Sequence, residues 1–311
     1  MVVTGNLELW AGHECTALRV GERYVDQTVR TGHARRPDDL ERFAALGIRS
    51  LRYPILWQHV SAAHPDERDW SFTDTSLARL HALDVNVIAG LVHHGGGPRY
   101  TSLLDPAFAK GLARHAGAAA RRYPWIRDWC PVNEPLTTAR FSALYGHWHP
   151  HERGDGAFLR ALLNEIDAIR LSMRAIRQAI PEARLVQTED LGRTFSTAEL
   201  AYQARFDNDR RWLTWDLLAG RVDRSHPLHA FFAEHGLADR LAAEAGVQGD
   251  RDHVHPVEEV AEGGEGGGAV ARAAYGPAGG AVVDHSTSLR VGPLIHNLGG
   301  PAAVWEPGRR L

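Results

Sequence analysis

The chain has 311 residues, 44% hydrophobic and 23% charged, with a formal net charge of −3. That profile belongs to a soluble globular protein and argues against a nucleic-acid footprint. No apolar run reaches the roughly 18 residues of a membrane span, and the opening Met-Val-Val-Thr-Gly lacks the charged-then-apolar pattern of a signal peptide.

An opening strand is expected near Asn6–Trp10. Leu40, Phe43 and Leu46 then sit at helical spacing, and the strand Ile48–Tyr53 follows. Asp74 is placed to cap a helix carrying Leu77, Leu80 and Leu83, which leads to the strand Val85–Val92. Asp105-Pro106 reads as a cap plus a proline at the first helical position, ahead of Phe108, Leu112, Ala116 and Ala119. A strand near Trp129–Val132 comes next. Leu162, Ile166, Ile169, Met173 and Ile176 alternate by four and three, the mark of an amphipathic helix. Pro181 stops that helix, and Arg184–Thr188 is the fifth strand. Residues 1–246 hold 18 of the 31 glycines and read as folded, whereas residues 247–311 hold the other 13 and read as a Gly-rich, irregular tail.

Strands alternating with helices imply a parallel sheet. A doubly wound nucleotide-binding sheet would need a Gly-x-Gly-x-x-Gly turn after an early strand, and none is present. The strands exit instead on His13-Glu14, Arg52-Tyr53, His93-His94, Asn133-Glu134 and Glu189-Asp190. Polar exits on successive strands suit the mouth of a (β/α)8 TIM barrel. The expected fold class is therefore α/β, a TIM barrel of about five to six units, incomplete by comparison with the eight that close it.

Three segments carry a resemblance. Leu51-Arg52-Tyr53-Pro54-Ile55-Leu56-Trp57 resembles the Arg-Phe-Ser-x-x-Trp segment of glycoside hydrolase family 1, the β-glucosidase family. Gly90-Leu91-Val92-His93-His94 resembles its third strand, and Trp129-Cys130-Pro131-Val132-Asn133-Glu134-Pro135 its Thr-x-Asn-Glu-Pro motif. The order and spacing match over roughly residues 5–220. The chain looks most like a divergent bacterial branch, some of whose members are fused to a deoxysugar-nucleotide reductase.

The resemblance implies hydrolysis of β-glycosides by a two-carboxylate retaining mechanism. It makes Glu134 the acid/base, a role that needs a carboxyl kept protonated near neutral pH. It makes Asn133 a partner of the sugar 2-hydroxyl, His93 a holder of another hydroxyl, and Arg52 the partner of the nucleophile. Trp57 joins the substrate-site candidates, although core packing is its favoured role. Glu189 ends the fifth strand and is assigned to the substrate site rather than to nucleophilic attack.

The chain departs from the family in three places. His94-Gly95-Gly96-Gly97-Pro98 replaces the Trp-Asp-x-Pro that follows the family's histidine. The first-strand Gln that grips the sugar has no clear counterpart, Glu14 lying near its place. No Thr/Ser-Glu-Asn-Gly motif supplies a nucleophile, and Glu258, Glu259, Glu265 and Glu306 lack its context. Efficient turnover is therefore in doubt, and a truncated or frame-shifted chain beyond about residue 246 is the expected cause. One lysine against 34 arginines fits a GC-rich coding sequence, in which a shifted frame stays open.

The alternative function is a non-catalytic sugar-binding or accessory module linked to deoxysugar metabolism of the dTDP-rhamnose type. The histidines of His147-Trp148-His149-Pro150-His151 read as a mouth loop rather than metal ligands. No metal, cofactor, nucleic acid or membrane partner is expected, only a small glycoside. Two cysteines point to the cytoplasm.

Overall fold

The computed structural model describes residues 8–36, 38–245, 254–260 and 269–272. The strands are β1 (Leu9–Gly12), β2 (Ala17–Val20), β3 (Arg23–Asp26), β4 (Ile48–Pro54), β5 (Asn86–His93), β6 (Asp128–Asn133), β7 (Arg184–Gln187), β8 (Asp190–Leu191), β9 (Val254–Val260) and β10 (Ala269–Arg272). The helices are α1 (Gln27–Arg30), α2 (Asp39–Ala45), α3 (Trp57–Val60), α4 (Ser71–Ala82), α5 (Phe108–Arg122), α6 (Pro135–Ala139), α7 (Asp155–Arg177), α8 (Ala201–Arg211), α9 (Leu213–Leu218), α10 (His229–Glu234) and α11 (Ala238–Ala245).

β1, β4, β5, β6 and β7 pair in that order, all parallel, with helices between successive strands from β4 onward. This is the barrel order expected from the alternation. β9 continues the sheet parallel to β7, and β10 folds back antiparallel on β9. Two strands are thus described within the stretch read as irregular. Glu258 and Glu259 lie on β9, while Glu265 and Glu306 lie outside the described residues.

β5 shows why these segments become central strands. After exposed Asn86, every residue from Val87 to His93 is buried, as a strand covered on both faces requires. Most of the strand core faces the helices, where α5 and α7 lie side by side. α7 turns Phe158, Leu162, Ile166, Ile169 and Met173 inward at three- and four-residue intervals. Ile88, Cys130 and Val186 form a separate cluster with Trp10 on the other side of the sheet, the barrel interior. Near the amino-terminal ends of the strands the interior is polar. Arg184 donates two hydrogen bonds to buried Asp128 at 2.7 and 2.8 Å, and Asn86 donates a third at 2.9 Å. The layers therefore run from an ionic base, through an apolar middle, to the polar strand exits.

Two helix starts differ from expectation. Asp74 lies inside the first turn of α4 rather than capping it, and its carboxylate accepts from Arg122 and from the Tyr123 hydroxyl. Asp105 caps a turn by accepting from the Ala107 N–H at 2.8 Å, so α5 begins at Phe108, after Pro106. In both cases a longer-range or tighter local partner captures the carboxylate. β2 and β3 form a hairpin that reaches the mouth loops. Tyr24 donates to the Gly97 carbonyl at 2.9 Å, the Gly21 N–H donates to His151 Nε2 at 2.9 Å, and the His149 N–H donates to the Arg19 carbonyl at 2.9 Å.

Candidate active site

The site lies where β1, β4, β5, β6 and β7 end. Glu134 follows directly on β6 with φ +46°, and His94 follows directly on β5 with φ +53°. A non-glycine residue in this region is held there by its surroundings. The Glu134 N–H donates to the Thr188 carbonyl at 3.2 Å, which ties the β6 exit to the segment after β7. Its side chain is 20% exposed and lies 3.8 Å from His94 Nε2. Burial pushes the Glu134 carboxyl above its ordinary value, Arg52 and His93 pull against this, and Asp190 adds to it.

Asn133 ends β6 and links two neighbours. Its Oδ1 accepts from Arg52 Nη1 and, at 2.8 Å, from the Thr188 hydroxyl. Its Nδ2 is 3.4 Å from His94 Nε2, while His94 Nδ1 is 2.9 Å from the Thr138 hydroxyl. Arg52 Nη1 also donates to the Thr188 hydroxyl at 3.0 Å. Arg52 has no carboxylate partner among the described residues, and its Nε is buried without an acceptor. Gly12 makes room for it, since a Cβ there would lie 3.1 Å from Arg52 Nη2.

His93 is buried, with Nε2 3.6 Å from a Glu14 carboxylate oxygen. Burial lowers His93 to about 4, with Glu14 opposing and Arg52 and His94 assisting, so the ring is neutral at pH 7. Glu14 accepts the Thr16 N–H at 3.0 Å and is half exposed. Burial works against its charge, but His93 and Thr16 outweigh burial and hold the carboxyl below the usual range. Glu14 is thus an ionised group at the mouth.

Two assigned residues lie elsewhere. Trp57 packs in the core, its ring edge-on to Tyr100 at 6.1 Å and tilted against Phe108 at 6.0 Å. A Cβ on Gly97 or Gly111 would come within 2.8 or 2.6 Å of that ring, so both glycines are spaces that the indole fills. Glu189 is fully buried beneath α6 rather than turned to the mouth. It accepts from the Leu136 N–H at 2.9 Å, the Thr137 N–H at 3.3 Å, the Thr137 hydroxyl at 3.2 Å and the Thr214 hydroxyl at 2.6 Å. Burial pushes Glu189 up to about 7, Thr214 opposes, and the Glu134 charge adds to the rise. Behind it, Glu165 is fully buried with neither carboxyl oxygen partnered, and burial followed by Glu189 raises it well above the ordinary value. Burial therefore favours its protonated form.

Sequence reasoning brings Arg52, His93, Asn133 and Glu134 to one mouth, as the structure does. It misses Thr188, which bridges Arg52 and Asn133, and Trp148, whose ring lies 5.2 Å from His94. Position directly before Glu189 is the one signal for Thr188. Among the described residues no group of His, Cys, Asp and Glu has a metal-binding arrangement, and no helix is long and apolar enough to cross a membrane.

No family model matches the chain. It is 22% identical over 250 residues to a 6-phospho-β-glucosidase of Dickeya chrysanthemi, covering 74% of this chain and 52% of that protein. Among solved structures it resembles the family 1 β-glucosidase of Thermotoga maritima. In complex with isofagomine lactam that enzyme superposes at a TM-score of 0.62 with 18% identity, over 73% of this chain and 55% of the other. In complex with cyclophellitol it superposes at 0.62 with 17% identity, over 75% and 56%. The chain spans about half the length of the relatives it matches. The strand order and these likenesses give the chain a TIM-barrel fold similar to that of the family 1 β-glucosidases.

Proposed function

We propose that this mouth is a β-glycoside site in which Glu134 is the general acid/base. The observation that carries the reading is the Glu134 carboxyl itself. It sits at a strand exit, four-fifths buried, raised above its ordinary value, and beside the Arg52–Asn133–Thr188 network. A carboxyl raised in this way takes up a proton more readily and can give it to a leaving oxygen. Asn133, Arg52 and neutral His93 would orient the sugar, and ionised Glu14 would accept from its hydroxyls. The free, buried thiols of Cys15 and Cys130 support a reducing, cytoplasmic setting.

The test is turnover of aryl β-glycosides by the full chain and by Glu134→Gln. Loss of a proton donor should lower the rate by roughly 10²–10⁴-fold. Turnover unchanged in Glu134→Gln would remove Glu134 from the role.

A second reading is sugar binding without hydrolysis. It is favoured by the engagement of the two carboxylates that bear on Glu134 electrically. Glu189 is filled by donors beneath α6, and Asp190 lies 3.7 Å from Arg211 Nη1. Calorimetric binding of a monosaccharide with no detectable turnover would select this reading.

A further inference from the structure

Resting on Glu134 as the reactive carboxyl, we propose that His94 is its positioning residue. The imidazole is held as the Nδ1–H tautomer, and its Nε2 lone pair receives the Glu134 O–H and keeps the proton on the acid until the substrate takes it.

The tautomer follows from the neighbours. Arg52 carries only donors, and its Nη1 meets one end of the Asn133 amide. That end is therefore the acceptor Oδ1. The Thr188 hydroxyl, which accepts from Arg52 at 3.0 Å, donates to the same oxygen at 2.8 Å. The amide nitrogen Nδ2 is then turned to His94 Nε2, at 3.4 Å. Because Nδ2 only donates, Nε2 presents its lone pair and the ring proton sits on Nδ1. Nδ1 has an acceptor for it in the Thr138 hydroxyl at 2.9 Å, and that hydroxyl donates onward to the Asn133 carbonyl at 3.4 Å. One guanidinium thus sets the amide, and the amide sets the ring.

The lone pair so fixed lies 3.8 Å from Glu134 Oε2, a gap that a small rotation of the carboxyl or one bridging water closes. The backbone holds His94 at φ +53°, and its ring lies edge-on to His93 at 4.9 Å and tilted against Trp148 at 5.2 Å. Moving the shared proton to Nε2 would set an N–H against the Asn133 N–H, so the proton is favoured on Glu134. Burial raises the Glu134 carboxyl in the same direction, with Arg52 and His93 opposing and Asp190 assisting. The other charged groups stand further back. Arg52 lies behind Asn133, Glu14 is 3.6 Å from His93 Nε2 on that ring's far side, and Asp190 is 3.7 Å from Arg211 Nη1. Burial lowers His93 to about 4, so it adds no positive charge beside the pair at pH 7. In the resemblance drawn from the sequence a tryptophan, whose ring N–H only donates, stands at this place. His94 replaces it with an acceptor. In turnover the proton passes from Glu134 to the leaving oxygen, a carboxylate remains, and the imidazole is unchanged.

The experiment is nitrogen-15 NMR of the imidazoles in the full chain, with infrared titration of the Glu134 carboxyl read as the difference between the chain and Glu134→Gln. At about pH 7.5, above the ordinary histidine range, His94 should show a protonated Nδ1 and a bare Nε2. Asn133→Asp sets an acceptor oxygen against the ring and should bring a proton onto Nε2. An acceptor for the O–H stabilises the protonated acid, so His94→Phe should lower the Glu134 midpoint, by about one pH unit or a tenfold change in the equilibrium. His94→Gln keeps an acceptor oxygen and should lower it less, and the alkaline limb of kcat/KM should move with the midpoint. An Nε2–H tautomer in the unmutated chain, or one Glu134 midpoint shared by the chain and both His94 variants, overturns the pairing. The tautomer is read without substitution and so decides the matter even where a variant does not fold. A midpoint shift as expected, with turnover surviving Glu134→Gln, would remove the acid role and leave the pairing standing.

Discussion

The Glu189 carboxylate accepts the backbone N–H of Leu136, two residues beyond Glu134, at 2.9 Å. A buried acid after β7 thereby takes up donors at the start of the helix that follows Glu134, where a helix leaves its N–H groups unsatisfied. Together with the Glu134 N–H bond to Thr188, it fixes the backbone on both sides of a residue at φ +46°. The donors beneath α6 thus tie Glu189 to the backbone that carries Glu134.

Glu189→Ala should strand the Leu136 N–H and the Thr214 hydroxyl in a buried space. The expected loss is about 2–3 kcal/mol in urea unfolding, since an orphaned buried donor costs roughly 1–3 kcal/mol. Glu189→Gln keeps an acceptor oxygen and should lose less. Equal losses would show that the carboxylate's hydrogen bonds do not hold α6.

Glu189 also predicts a pH dependence. Its folded value, about 7, lies above that of an unfolded glutamate near 4.5. The folded chain therefore holds the extra proton between these values, and this group's stabilisation is present below about pH 4.5 and lost as pH rises through 7. Thermal midpoints of the wild type minus those of Glu189→Gln should fall across that window. Glu134→Gln should lower the Glu189 midpoint by removing a neighbouring charge. A flat difference curve would refute the buried titration.

The buried histidines act in the opposite direction. Burial first of all lowers His13, His93 and His115 each to about 4. The unfolded chain binds these protons from about pH 6.5 downward and the folded chain does not, so stability falls with acid between pH 6.5 and 4. His115→Gln should make the acid limb shallower. His115 Nε2 contacts the Ile55 carbonyl at 2.8 Å and its ring stacks on Trp70, so the substitution also lowers stability at neutral pH. An acid limb of unchanged slope would count against the prediction.

Gly111→Ala separates packing from binding. The added methyl would meet the Trp57 ring at 2.6 Å in a filled core, and overpacking of this kind costs roughly 1–3 kcal/mol. Sugar affinity should stay within about twofold of wild type, a change below roughly 0.4 kcal/mol. A selective loss of sugar binding would return Trp57 to the site.

Much of the scaffold is legible in the chain itself. β5 and β6 appear within one or two residues of the expected strands because continuous apolar runs between turns are local signals. α7 is legible for the same reason. The starts of α4 and α5 were less so, because Asp74 and Asp105 each find a partner that competes with capping.

The sequence by itself determined the parallel alternation, the polar strand exits and the placing of Asn133 and Glu134 at one of them. Only the tertiary structure decided which exit side chains reach the mouth. Glu189, just beyond β7, turns beneath α6 because the Leu136 and Thr137 N–H groups and the Thr214 hydroxyl take up its carboxylate there, while Glu14, beyond β1, stands half exposed. Burial and hydrogen-bond partners are properties of the assembled sheet and helices, and they exist only once the fold has brought its parts together.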